Sequence, residues 1–239
     1  MRTDVAGTAF DDLTLDEAVQ RCMAIIESDG KGYIVTPNPE IVMMARKSAE
    51  LAAALKNAAM VLPDGVGVTL GAKILGRPLR GRVPGIDFMS GVLEKLAVAG
   101  KSVFLFGAKP SVAEKAAERL VEQYSGLVIA GTADGYFTDS EHIISVINEA
   151  APDVVVVCLG VPKQELWMEE NLQRLNTKVC VGLGGALDVY SGEVKRAPNV
   201  FRKIGLEWFY RLITDPRRIK RMIKLPAFVF LVIGQKIRG

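Results

Sequence analysis

Short apolar runs and longer amphipathic stretches take turns along the chain. The runs rich in Val, Ile and Leu predict strands at residues 33–36, 59–62, 102–107, 127–131, 154–160 and 179–182. The stretches between them have the helical spacing of apolar residues. Buried strands that alternate with helices are typical of a mainly parallel sheet covered on both faces, so we predict an α/β, Rossmann-like fold.

Several helix ends are marked by capping signals. Thr14 with Glu17 forms a capping box and predicts a helix that runs to about Ser28. A second helical stretch is predicted from Glu40 to about residue 56, a third ends near residue 75, and Asp87 has the chemistry of the N-cap of another.

The pattern changes near residue 200, where helices become apolar on one side and basic on the other. Asp215-Pro216 predicts the start of one such helix, and the apolar stretch 225–234 is far shorter than the ~20 residues that span a bilayer. Basic, aromatic and amphipathic segments favour a helix that lies on a membrane surface. We therefore divide the chain into a core, residues 1–194, and a C-terminal helical appendage, residues 195–239.

Charge supports this division. The appendage has 12 Lys and Arg against 2 Asp and Glu and so carries +10. Because the net charge of the chain is +3, the core carries −7. Such asymmetry indicates an anionic partner, here an anionic membrane surface. Three cysteines without metal or redox spacing, and no signal-peptide pattern, predict a cytoplasmic protein that is peripheral on the inner face of the membrane.

Candidate chemistry lies where strands end, because ligands of parallel sheets bind there. Asp64 follows a strand and is either a general base or a helix N-cap. Thr36 and Asn38 stand between two prolines and either contact sugar hydroxyls or form a rigid turn. Arg82, in a loop before a helix, either pairs with phosphate or is solvated.

The remaining strand-exit loops offer substrate-binding candidates. Gln164 begins a helix, where an amide can hold a nucleotide or simply cap the helix. Asp188 and Tyr190 either bind a ribose or base edge or belong to the loop structure. The loops FGAKPS and DGYF add Gly107 and Tyr136.

Other chemistries are disfavoured. PDGVGVTLG resembles a dinucleotide fingerprint, but its third glycine, Gly71, comes one place late. His142 is the only histidine and lies in a predicted surface helix, which argues against Ser-His-Asp catalysis. The chain has no Asp-x-Asp pair to hold a metal on a nucleotide sugar, so we expect no metal site and no cofactor.

Six motifs in order, TPNPE, LPDGVG, GRVPGID, FLFGAKP, GVPKQE and GGALDVYSG, resemble the WecG/TagA/CpsF family of bacterial glycosyltransferases. The resemblance covers nearly the whole chain, and the basic C-terminal segment looks closest to TagA-type members that act in wall teichoic acid synthesis. It implies inverting transfer of N-acetylmannosamine from UDP-N-acetylmannosamine to the 4-hydroxyl of N-acetylglucosamine on undecaprenyl diphosphate. It also implies self-association, as a dimer or trimer.

The resemblance assigns roles to single positions. Asp64 matches the base, and Thr36 and Asn38 match a sugar-facing pair. Gln164 matches a donor-site residue, and Arg82 matches a residue needed for activity. The arginines of the appendage that would close over the site and face the diphosphates are Arg211, Arg218 and Arg221.

Two alternatives stay open, and a third is disfavoured. The same fold acting on UDP-N-acetylmannosaminuronic acid is the nearest, and a non-catalytic nucleotide-binding module that docks on membranes is another. Nucleic-acid binding is disfavoured, because aromatic and apolar residues alternate with the arginines of the appendage.

Overall fold

The computed structural model describes residues 2–203, 205–214 and 224–238. The strands are β1 (Arg2–Val5), β2 (Thr8–Asp11), β3 (Gly32–Val35), β4 (Met60–Val61), β5 (Ser102–Gly107), β6 (Val128–Ala133), β7 (Val154–Cys158) and β8 (Val179–Gly182). The helices are α1 (Leu15–Glu27), α2 (Pro39–Ala45), α3 (Ala49–Asn57), α4 (Val66–Ile74), α5 (Gly85–Ala99), α6 (Val112–Gln123), α7 (Ser140–Ala150), α8 (Lys163–Asn171), α9 (Ala186–Tyr190), α10 (Asn199–Lys203), α11 (Glu207–Thr214) and α12 (Lys224–Arg238).

The predicted α/β fold is confirmed. Six strands form one sheet in the order β4-β3-β8-β7-β5-β6, and each neighbouring pair is parallel. Alternate residues of the strands face two separate apolar clusters, as the twofold period of a strand requires. Val155 and Val157 belong to one cluster, whereas Val154 and Val156 belong to the other. Helices therefore cover both faces of the sheet.

A hairpin at the N-terminus was not predicted. β1 and β2 pair in antiparallel register around Ala6-Gly7, and both of these residues have positive φ, 56° and 89°. The strands have four residues each, too few for alternation to stand out. A two-residue turn that ends in Gly is the local signal that could have revealed them.

Two helix predictions were wrong. The stretch from Glu40 to residue 56 is two helices, because Ser48 is extended and its hydroxyl accepts a hydrogen bond from the Leu51 N–H, which starts α3. Asp87 is not an N-cap: α5 begins at Gly85, and Asp87 lies in its first turn. The fixed φ of Pro84 places that proline, with φ −64°, at the start of the helix instead.

The last helix packs on the sheet domain. Phe228 and Val232 of α12 are fully buried in the apolar cluster that contains α2 and α4 residues. Gln235 accepts a hydrogen bond from the Ala6 N–H at 2.9 Å and donates one to Asp4 at 2.7 Å. α12 thus contacts the N-terminal hairpin as well as the helices.

Among the residues that the structure describes, none of the helices is both long and apolar enough to cross a membrane. The predicted helix start at Asp215-Pro216 lies outside the described residues. The division of the chain after residue 194 stays a prediction.

Candidate active site

The strand order brings three exit loops together. β3 lies between β4 and β8, so the segments that follow these strands meet at one edge of the sheet. They surround a cavity of about 230 Å³. The cavity wall includes four of the predicted catalytic residues, Thr36, Asn38, Asp64 and Arg82. A site dispersed over 47 positions of the sequence therefore becomes one pocket.

Thr36 and Asn38 are held by local hydrogen bonds as well as by the flanking prolines. The Thr36 hydroxyl donates to the carbonyl of Gly182 at 3.3 Å, which ties the β3 exit to the β8 exit. The side-chain oxygen of Asn38 accepts a hydrogen bond from the Ile41 N–H at 3.1 Å and caps α2. Asn38 thus has the capping role as well as a place on the pocket wall, and its sugar-facing role stays a prediction.

Asp64 lies at the exit of β4, the strand next to β3. Its backbone N–H donates to the carbonyl of Pro37 at 3.3 Å, and its carboxylate accepts a hydrogen bond from the Gly85 N–H at 3.4 Å. Gly85 has no side chain to separate these loops: a Cβ there would lie 3.1 Å from the Thr36 hydroxyl oxygen. The start of α5 can therefore come close to both Thr36 and Asp64.

The C-terminal segment forms another part of the wall. Arg82 donates a hydrogen bond to the carbonyl of Arg202 at 3.0 Å. Gly205, Glu207 and Leu225 also line the cavity. The backbone of Arg211 lies in α11, but its side chain, like Arg218 and Arg221, lies outside what the structure describes. Their predicted contacts with diphosphates stay predictions.

Gln164 lies beneath the pocket rather than on its wall. It is 3% exposed, its side-chain oxygen accepts from the Gly184 N–H at 2.8 Å, and its side-chain nitrogen donates to Glu165 at 2.8 Å. Leu183, Gly185 and Ala186, which flank this contact, do line the cavity. Gln164 therefore supports the loop against which a ligand would lie.

Glu165 was not predicted as a site residue. It is 1% exposed, and one of its carboxylate oxygens has no hydrogen-bond partner among the described residues. Burial raises the pKa of Glu165 to about 7, and the hydrogen bond from Gln164 opposes this shift. A carboxyl group with a pKa near 7 could not be recognised from sequence, because its neighbours in space come from other segments.

Gly107, Tyr136 and Asp188 do not line the cavity. Gly107 ends β5 and Tyr136 follows β6, and β7 and β8 separate these two strands from β3. Gly107 has φ 125°, and a Cβ there would lie 2.3 Å from the carbonyl oxygen of Cys158. Tyr136 is 70% exposed, and the backbone carbonyl of Asp188 accepts a hydrogen bond from Val194 at 2.8 Å. Asp188 and Tyr190 were predicted in a loop but lie in α9, and the Tyr190 hydroxyl donates to the carbonyl of Ile86 at 3.3 Å.

Sequence reasoning missed a cation on the wall. Arg196 lines the cavity and forms an ion pair with Asp87, with 2.6 Å between Nη2 and Oδ1. Arg202 approaches the same carboxylate oxygen at 3.8 Å. A basic residue within a basic run is typical of a solvated surface, so its sequence neighbourhood does not distinguish Arg196 from Lys195.

The residues that the structure describes do not form a site for metal or thiol chemistry. No group of three or more His, Cys, Asp or Glu side chains there could hold a metal ion. Cys22, Cys158 and Cys180 are buried, and burial raises the pKa of each thiol to about 12. His142 is exposed on α7.

Comparison with known proteins identifies the family of the chain. The model of the glycosyl transferase WecG/TagA/CpsF family matches residues 3–239. An N-acetylglucosaminyldiphosphoundecaprenol N-acetyl-beta-D-mannosaminyltransferase of Bacillus spizizenii is 39% identical over 225 residues, which cover 94% of this chain and 88% of the relative. The protein of that name in Staphylococcus aureus strain MRSA252 is 33% identical over 237 residues, covering 98% and 93%. The chain therefore belongs to the glycosyl transferase WecG/TagA/CpsF family.

Proposed function

We propose that this protein transfers N-acetylmannosamine from UDP-N-acetylmannosamine to the 4-hydroxyl of N-acetylglucosamine on undecaprenyl diphosphate. The product would be the linkage-unit disaccharide of wall teichoic acid. The observation that carries the proposal is the shared pocket of Asp64, Thr36, Asn38 and Arg82. The names of the two relatives support the choice of sugar and lipid acceptor.

Asp64 is the proposed general base. Its carboxylate stands on the pocket wall and accepts from the N–H at the start of α5, which fixes its position. It would remove the proton of the acceptor hydroxyl as the oxygen attacks the anomeric carbon from the face opposite UDP. One displacement of this kind inverts the anomeric configuration.

The pocket wall offers groups for the two substrates. Thr36 and Asn38 would contact the sugar being transferred, and Arg82 would stabilise the charge that develops on the leaving diphosphate. The loop after β8, which Gln164 holds, would support the donor from below. Arg211, Arg218 and Arg221 would add positive charge from the appendage. We propose that arginines take the place of a divalent metal, since the chain lacks an Asp-x-Asp pair.

We further propose that the protein works on the inner face of the cell membrane, where the lipid acceptor is anchored. Apolar side chains of the C-terminal helices point to solvent: Ile213 is 61% exposed, Phe230 74% and Ile237 80%. Apolar groups on basic helices favour binding to anionic lipid. Cosedimentation with vesicles that contain phosphatidylglycerol, but not with phosphatidylcholine vesicles, is expected.

A dimer or trimer through the core is proposed on the family resemblance alone. Sedimentation velocity of the intact chain, with and without detergent, would detect it. A monomer at all concentrations would contradict self-association without affecting the proposed chemistry.

The test of the reaction is UDP release from UDP-N-acetylmannosamine in EDTA, with a lipid-diphosphate-N-acetylglucosamine analogue. The intact chain should release UDP only when acceptor is present. Asp64→Asn should lose at least about 100-fold of this rate, in keeping with the usual contribution of a general base. Asp16→Asn is the matched control, because Asp16 is an exposed carboxylate of α1 and does not line the cavity.

The outcomes separate the alternatives. Release from UDP-N-acetylmannosaminuronic acid alone would change the donor but keep the enzyme class. UDP binding without release from either donor would favour the non-catalytic module. An unchanged rate in Asp64→Asn would remove Asp64 as the base.

A further inference from the structure

Two arginines of the C-terminal segment converge on one carboxylate of α5. Arg196 forms the shorter contact with Asp87, at 2.6 Å, and Arg202 the longer, at 3.8 Å. Arg82 joins the group through its hydrogen bond to the Arg202 carbonyl. A guanidinium does not lose its proton in a protein, so these groups hold three positive charges. Asp87 carries a single negative charge.

The cluster also contains unused hydrogen-bond donors. The Nε atoms of Arg196 and Arg202 are buried and have no partner among the residues that the structure describes. A buried N–H of a charged group without an acceptor is unfavourable, and such groups in native proteins usually have a partner or a bound ligand. Two neighbouring donors of this kind indicate an acceptor-rich ligand.

The position of Arg196 limits what this ligand can be. Arg196 lines the same cavity as Asp64 and Arg82. Its neighbours do not line the cavity: Lys195 is exposed, and Ala197 is buried. The cavity wall also bears carboxylates, so an anionic ligand needs fixed positive charge beside them. Guanidinium groups bind the oxygens of phosphates through paired N–H donors.

We propose that Arg196, held in place by Asp87, is a diphosphate-binding residue of this pocket, with Arg202 as its second cation. The inference rests on the proposed function, because both substrates of that reaction carry a diphosphate. Asp87 accepts a hydrogen bond from Nη2 of Arg196, and Nε of Arg196 has no partner among the described residues.

The test is calorimetric titration of the full chain with two probes, UDP and farnesyl diphosphate. The first stands for the diphosphate of a nucleotide donor and the second for that of a lipid acceptor. Arg196→Gln should weaken binding of at least one probe by roughly 10- to 100-fold, the usual effect of losing a charged hydrogen-bond donor. Lys195→Gln removes the same charge one residue away, from an exposed side chain, and should change binding by less than about threefold.

Each outcome decides the inference. A loss confined to UDP assigns the donor diphosphate, and a loss confined to farnesyl diphosphate assigns that of the acceptor. Equal binding by Arg196→Gln and Lys195→Gln overturns the inference and leaves the proposed function intact. An intact chain that binds neither probe contradicts both. If Arg196→Gln does not fold, Arg196→Lys decides by the same titration, because lysine keeps the charge but lacks Nε.

Discussion

The side-chain oxygen of Gln164 accepts a hydrogen bond from the Gly184 N–H at 2.8 Å, so one residue of α8 supports the loop that follows β8. That loop lines the cavity through its neighbours Leu183 and Gly185. Gln164 therefore acts on a bound ligand by holding this loop in position.

Gln164→Ala should lower both stability and activity. The substitution leaves the Gly184 N–H without its acceptor, which costs about 1–3 kcal/mol, and releases the loop. Urea unfolding measures the first effect and UDP release measures the second. Gln173→Ala is the matched control, because Gln173 is exposed just beyond α8 and should change neither. Full activity in Gln164→Ala would show that the loop keeps its position without this bond.

Glu165 should make stability depend on pH. Its pKa is raised from 4.5 to about 7 by burial, so the folded chain holds the proton more tightly than the unfolded chain. Protonated Glu165 makes its full contribution to the stability of the fold below pH ~4.5, and this contribution is lost as the pH rises through about 7. At about 1.4 kcal/mol per pH unit, the loss is on the order of 3 kcal/mol.

Glu165→Gln removes this ionisation and keeps an oxygen to accept from Gln164. Its free energy of unfolding should exceed that of the parent at pH 8, and the difference should shrink at pH 5. Urea unfolding at both values measures it. The control, Glu170→Gln, replaces an exposed carboxylate of the same helix and should follow the parent profile. Parallel profiles for Glu165→Gln and the parent would refute the raised pKa.

Phe228→Ala should detach α12 from the sheet domain. Phe228 is fully buried, and its ring lies so close to Gly71 that a Cβ there would be 3.2 Å away. Removing a buried Phe ring costs about 3–5 kcal/mol. Hydrogen exchange by mass spectrometry should show lost protection over residues 224–238. Phe230→Ala, on the same helix but 74% exposed, should retain it, and equal exchange in the two variants would contradict this packing.

Gly107→Ala should destabilise the β5 exit. Gly107 has φ 125°, and the new Cβ would overlap the backbone carbonyl of Cys158. We expect a loss of more than about 3 kcal/mol, since backbone strain and overlap add together. Gly160→Ala is the control. Gly160 also has positive φ, 75°, but no atom of the described residues lies within 4 Å of the position of a Cβ there, so about 1 kcal/mol is expected. Thermal unfolding compares them, and similar losses would mean that the Cys158 backbone yields.

Local pattern was enough to predict the framework of the protein. The strands from β3 to β8 are short and apolar, and the capping box at Thr14 is confirmed by hydrogen bonds in both directions. These features depend on residues close in sequence, so period and capping chemistry reveal them. The motifs likewise placed Asp64, Thr36 and Asn38 at strand exits, where the fold collects ligands.

What the sequence by itself determined was the α/β fold, the strand-exit positions and the family. Only the tertiary structure decided which exits meet, because the order β4-β3-β8 is set by packing between distant segments. It alone placed Gln164 beneath the pocket and joined Arg196 to Asp87, which are 109 positions apart. Local sequence does not reveal such neighbours, since burial and ion pairing depend on which residues the rest of the chain brings to the same place.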